Sequence, residues 1–183
     1  MNVNNTQSPG ALNSGWINLL VILIMIAAVT LTRLIPHPSN FTAVGATALF
    51  AGFYFSKRGM ALLVPVLALL FSDLLIGFHS TMFYVYAAVI LSALLSFQFL
   101  KENSLLKTGL FSLGSSVIFF VVTNLGVWAQ GSMYSMDLQG LIKCFVMAIP
   151  FFKNQILGDL VYTALFFAVW EFARRQKFSQ KTI

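Results

Sequence analysis

Residues 138–152, "LQGLIKCFVMAIPFF", decide how many times this chain crosses a membrane. The stretch is apolar, yet its 15 residues fall short of the roughly 20 that a spanning helix needs. It carries Lys143 in its interior and Pro150 near its end. Proline removes a backbone donor and tends to end or kink a helix. Six other apolar runs can be read, at 16–35, 41–56, 60–78, 82–100, 105–128 and 155–173. The chain has six spans if 138–152 stays at one face, and seven if it crosses.

Charge separates the two. With six spans, the connection at Lys57-Arg58, the one holding Lys101 and Lys107, and the tail from Arg174 all share one side. That side then holds eight of the eleven basic residues, leaving Arg33, Lys143 and Lys153 opposite. A seventh crossing would move the tail to the other side and erase the asymmetry. Cytoplasmic connections are enriched in Lys and Arg. The expected topology is therefore six transmembrane helices with both termini cytoplasmic. In it, 138–152 forms an extra re-entrant or interfacial helix on the outer face before the last span. The expected organisation is a disordered tail over 1–15, a single six-helix membrane domain over 16–173, and a basic cytoplasmic tail over 174–183.

Composition supports the class independently. Of 183 residues, 58% are hydrophobic and 9% are charged, against roughly 25% charged in a soluble domain. So few charges cannot cover a water-facing surface, and the apolar runs are too continuous for alternating barrel strands. An all-α polytopic membrane protein in contact with the lipid bilayer is expected. The first apolar run is longer than the roughly 7–15 residues of a signal-peptide core, and no Lys or Arg precedes it, so it reads as a retained span. The net charge of +6 follows from the orientation bias and implies no nucleic-acid partner. Cys144, the sole cysteine, excludes an internal disulfide and a thiolate metal cluster, and reads as a small buried residue.

In the six-span topology the cytoplasmic halves of the helices are almost wholly apolar. Polar residues collect in the outer halves and outer connections, and they come from five different spans. Asp73 in "FSDLLIGFH" and Asp159 in "NQILGDLVY" each lie about five residues inside a span. At about 1.5 Å per residue that is several ångströms below the interface, where an ionisable group needs a partner or a functional reason. Two readings stand for each: a structural pair, with Arg33 for example, or the wall of an outward-opening pocket that binds a cationic or hydrogen-bond-donating group. The connection "RLIPHPSNFTAVG", 33–45, places His37 between two prolines. Their restricted backbones make it either a stiff turn or a brace aiming His37 and Asn40 over the cluster.

His79 ends the third span near the same surface. Asn124 and Trp128 share a helix face at the end of the fifth, with Trp128 as an interfacial belt residue or a seal. Asn154 precedes the last span. No HxxxH, HExxH, GxSxG or phosphate-binding glycine loop is present, so neither a metal, a cofactor nor an enzymatic activity is expected. Ala48 with Gly52, and Ser112 with Ser116, are spaced as close helix contacts.

Four motifs in order, Arg33-Leu-Ile-Pro-His-Pro-Ser-Asn-Phe41, Ser72-Asp73 with Gly77-Phe-His79, Thr123-Asn124 with Val127-Trp128, and Ala148-Ile-Pro-Phe-Phe with Gly158-Asp159, resemble those of a group of bacterial proteins assigned to transport. That group is similar to the substrate-binding S components of energy-coupling factor (ECF) transporters. The resemblance covers about 30–172. It implies a bacterial inner-membrane protein of six helices, with a pocket for a small vitamin- or metabolite-like molecule opening outward. It also implies a transmembrane coupling subunit with ATPases as partners. The first span, "LLVILIMIAAVTLTRL", lacks the Ala-x-x-x-Ala spacing by which many S components dock. The ligand site expected is His37, Asn40, Asp73, His79, Asn124, Trp128, Asn154 and Asp159, with the two carboxylates orienting the ligand. The alternative is a structural or assembly subunit of a larger membrane complex that uses the same fold for packing.

Overall fold

A computed structural model describes residues 15–179. The expected N-terminal tail, apart from Gly15, and the last four residues of the basic tail lie outside them. Among the described residues six helices follow in order: α1 (Gly15–Leu34), α2 (Val44–Tyr54), α3 (Arg58–Ile76), α4 (Met82–Phe99), α5 (Leu105–Ala129) and α6 (Leu138–Ser179). All but α2 are long and apolar enough to cross a membrane. Leu19, Leu74, Leu110 and Val169 are among the many large apolar side chains left exposed on their outer faces. The chain is a polytopic all-α membrane protein, and these faces contact the lipid bilayer.

The stretch 138–152 does not form a helix of its own. It continues without a break into the last apolar run as the 42-residue α6, about 63 Å long at 1.5 Å per residue against a hydrocarbon core of about 30 Å. Pro150 sits inside this helix. It forfeits one intrahelical hydrogen bond, and packing holds the helix on either side of it. Phe145 and Phe152 both meet Phe120 of α5, at ring-centroid distances of 5.4 and 4.4 Å, and the Cys144 thiol contacts the Asn124 carbonyl at 3.5 Å. Asp137 caps the start of α6, its Oδ1 accepting from the Gly140 N–H at 2.7 Å. This caps the first turn where donors have no intrahelical acceptor.

The run 41–56 also differs from its expectation. Its helix, α2, has only 11 residues, all buried, and at about 16 Å it traverses roughly half of the hydrocarbon. Small residues let it sit in the middle of the bundle. A Cβ on Gly52 would lie 2.4 Å from the Ala93 carbonyl of α4, and Ser96 of α4 donates to the Leu49 carbonyl at 2.5 Å. On the other flank, Phe50 and Phe53 pack against Phe167 and Trp170 of α6.

Contacts show that successive helices alternate in direction. The end of α2 reaches the start of α1 through the Tyr54 hydroxyl, which donates to Asn18 at 2.9 Å. The ends of α1 and α3 meet through Arg33 and Asp73, and α5 lies antiparallel to α6, pairing Asn124 with Cys144 and Ser112 with Thr163. Lys57, Arg58, Lys101, Lys107, Arg174 and Arg175 therefore gather at one end of the bundle, and Arg33, His37 and His79 at the other. Because α2 begins at Val44, the bundle centre beyond it toward this second end holds no helix. The segment 35–43 covers that space. Its turn is closed by the Phe41 N–H donating to the Pro38 carbonyl at 2.9 Å and by Asn40 in the left-handed region at φ 67°, which Asn tolerates better than most residues.

Candidate functional site

Under the segment 35–43 lies a cavity of about 480 Å³, walled by the end of α1, α3, the start of α4, the end of α5 and the first half of α6. Small-molecule sites commonly measure roughly 300–1,000 Å³. Its polar lining comes from Arg33, His37, Ser39, Asn40, Thr42, His79, Thr81, Thr123, Asn124 and Gln155, and its apolar lining includes Leu69, Val85, Phe119 and Phe151. Thr42, near the end of the covering segment, and Val44, the first residue of α2, also line it.

Of the eight expected residues, the structure brings four to the cavity: His37, Asn40, His79 and Asn124. His37 is held by its Nδ1 against the Ile35 carbonyl at 2.7 Å, and His79 by its Nδ1 against the Thr81 hydroxyl at 3.0 Å. Asn124 donates to the Phe120 carbonyl at 2.7 Å, which leaves its amide oxygen for other contacts.

The two carboxylates do not line the cavity as expected. Asp73 is fully buried, with Oδ1 2.6 Å from Arg33 Nη1 and Oδ2 accepting from the Tyr86 hydroxyl at 2.8 Å. The Asp73–Arg33 contact is a close charge pair rather than an aligned hydrogen bond. Arg33 Nη1 also donates to Ser72 Oγ, which in turn donates to the Leu69 carbonyl at 2.8 Å. The cluster ties α1, α3 and α4 together and presents the guanidinium, not the carboxylate, to the cavity.

Asp159 is likewise fully buried. Its Oδ2 accepts from Ser116 Oγ and from Gln155 Nε2, each at 2.7 Å. Its Oδ1 lies against Gly45 of α2, where a Cβ would come within 2.2 Å. The carboxylate thus sits beside the first turn of α2, whose positive dipole end favours a negative charge, while Gln155 stands between it and the cavity. Burial drives this arrangement: a carboxylate in hydrocarbon seeks partners from within the bundle, and two of those partners, Arg33 and Gln155, are themselves wall residues that take the carboxylates' place on the lining.

Trp128 and Asn154 also lie off the lining. The Trp128 indole donates from Nε1 to the Ser135 carbonyl at 3.0 Å and pins the turn that leads into α6. Asn154 is half-buried, one position before Gln155. Six polar lining residues were not expected: Arg33 (considered only as a partner for a carboxylate), Ser39, Thr42, Thr81, Thr123 and Gln155. Gln155 follows Asn154 directly, and its spacing of four from Asp159 was the available signal.

Residues 13–181 match the model of one protein family, a family of unknown function (DUF6580). No curated protein and no solved structure matches the chain.

Proposed function

We propose that this chain, which belongs to the family DUF6580, is a membrane-embedded subunit that binds and helps transport a small metabolite- or vitamin-like molecule through an outward-facing pocket. One observation carries the reading. The bundle's central helix stops halfway, and the space beyond it is a cavity of about 480 Å³ lined by polar groups from several elements. A bundle serving only as packing would fill that space with apolar side chains. Here the chain places two histidines, an arginine, three amides, three threonines and a serine around it.

The orientation follows the charges. The end carrying Lys57, Arg58, Lys101, Lys107, Arg174 and Arg175 would face the cytoplasm of a bacterial inner membrane, so the cavity end would face outward. No nucleotide-binding loop is present in the chain. Transport would then draw on a partner, in the manner of S components with their coupling subunit and ATPases. α1 packs on α3 and only slightly on α2, and its free face, with Leu19, Leu23 and Leu31, is where such a subunit would meet it.

The test is thermal stabilisation of the purified full-length protein across a vitamin and metabolite panel, repeated with Val85→Trp, which fills the cavity. Ligand-dependent stabilisation that Val85→Trp removes is expected. No stabilisation by any member, or stabilisation indifferent to Val85→Trp, would overturn the proposal.

A further inference from the structure

Resting on that binding reading, we infer that the ligand is an acid, recognised through a carboxylate that docks on Arg33. The sequence suggested the opposite sign, because Asp73 and Asp159 were the deepest charged groups. Their placement reverses the expectation. Among the described residues no Asp or Glu lines the cavity, whereas Arg33, His37 and His79 do.

Arg33 is built for this task. Its side chain is only 15% exposed, and Asp73 fixes it from behind, so ligand binding need not order a mobile side chain. The contacts to Asp73 and Ser72 both use Nη1. The guanidinium carries five N–H donors in a rigid fork, so Nη2 and Nε keep donors with the geometry to take a carboxylate bidentately. A cationic ligand would meet Arg33 with no exposed counter-charge. Phe119, Phe151, Val85 and Leu69 on the remaining wall fit an acid with an apolar or aromatic body. A soluble metabolite and a lipid-derived acid share this head chemistry.

The experiment uses the full-length protein in detergent. Its probes are carboxylic acids from benzoate and octanoate to palmitate, each with its primary amide and the amine of the same skeleton. Acids should raise the melting temperature, with apparent affinities roughly tenfold or more above those of the amides, as loss of a charge-assisted bidentate contact implies. The amines should have no effect. The paired variant Arg33→Gln with Asp73→Asn, which leaves no unpaired buried charge, should lose the preference of acid over amide. Stabilisation by the short acids assigns a soluble ligand, and by palmitate alone a lipid-derived one; either supports the carboxylate assignment. Amides or amines that match or exceed the acids, in a manner abolished by Val85→Trp, would overturn the acid assignment and leave small-molecule binding standing. An acid preference that persists in the paired variant would also overturn it. No effect from any probe would count against both.

Discussion

Arg33 on α1 and Asp73 on α3 approach to 2.6 Å at the edge of the cavity, with Tyr86 of α4 closing the carboxylate's other side. The contact joins three helices at the end of the bundle where the central helix is missing. It both holds the wall together and sets the sign of the charge that the wall presents.

Removing one partner should therefore cost far more than removing both. Asp73→Ala leaves a nearly buried guanidinium uncompensated and is expected to cost about 3–5 kcal/mol. The double variant Asp73→Ala with Arg33→Leu should recover most of that loss. Tyr86→Phe, which removes one hydrogen bond to a charge, should cost about 1.5–3 kcal/mol. Unfolding in mild detergent measures all three, and a double variant as unstable as Asp73→Ala would refute a paired role.

Gly45 and Asp159 form a second interlocked pair. A Cβ at Gly45 would reach within 2.2 Å of Asp159 Oδ1, and Ser116 and Gln155 hold that carboxylate in place. Gly45→Ala should cost about 1–3 kcal/mol through overpacking. Adding Asp159→Ala should relieve part of the clash, so the two substitutions would couple by about 0.5–3 kcal/mol. Strict additivity in a double-mutant cycle would show that the two do not touch.

Two other glycines should respond in opposite directions. At Gly52 a Cβ would meet backbone atoms of α4, the Ala93 carbonyl at 2.4 Å and the Phe97 nitrogen at 2.7 Å, so Gly52→Ala should push α2 from α4 and sharply lower the melting temperature. At Gly109, inside α5, a Cβ meets nothing within 4 Å. There Gly109→Ala should be neutral or stabilising by up to about 1 kcal/mol, because Ala loses less conformational entropy in a helix. Equal responses would contradict the packing described for α2.

Asp137, in the turn before α6, gives a pH-dependent prediction. The Gly140 N–H and the Ser135 hydroxyl hold its carboxyl below the usual carboxylate range. A carboxyl depressed in the folded state stabilises above its unfolded value, and that stabilisation is lost as pH falls through the lower folded value. The melting temperature of Asp137→Ala should thus lie below that of the parent protein at neutral pH, and the gap should close as pH drops beneath the carboxylate range. A gap constant with pH would show that the cap does not depend on charge.

Much of this architecture was legible in the sequence. The apolar runs located the helices, and the Lys57-Arg58, Lys101, Lys107 and Arg174-Arg175 groups do gather at one end. Ala48 with Gly52 and Ser112 with Ser116 mark close contacts inside the bundle. The misreadings share a cause, because each turns on neighbours in space. Hydropathy could not show that α2 stops after 11 residues, since buried small residues read like lipid-facing ones. Pro150 looked like an end because its lost hydrogen bond is local, whereas the packing of Phe145 and Phe152 on Phe120 that compensates for it is not. Asp73 and Asp159 were identified as buried and important, but which side of the wall a carboxylate faces depends on Arg33, Tyr86, Ser116 and Gln155. These come from α1, α4, α5 and α6.

The outward-facing cavity is tested most directly by labelling in intact cells. In a Cys144→Ser background, Ser39→Cys places a thiol on the exposed segment that covers the cavity, and Lys57→Cys places one at the opposite end of the bundle. A membrane-impermeant maleimide should label Ser39→Cys in intact cells, and Lys57→Cys only after the membrane is opened. The reverse pattern would put the cavity on the cytoplasmic side and contradict an outward-facing pocket.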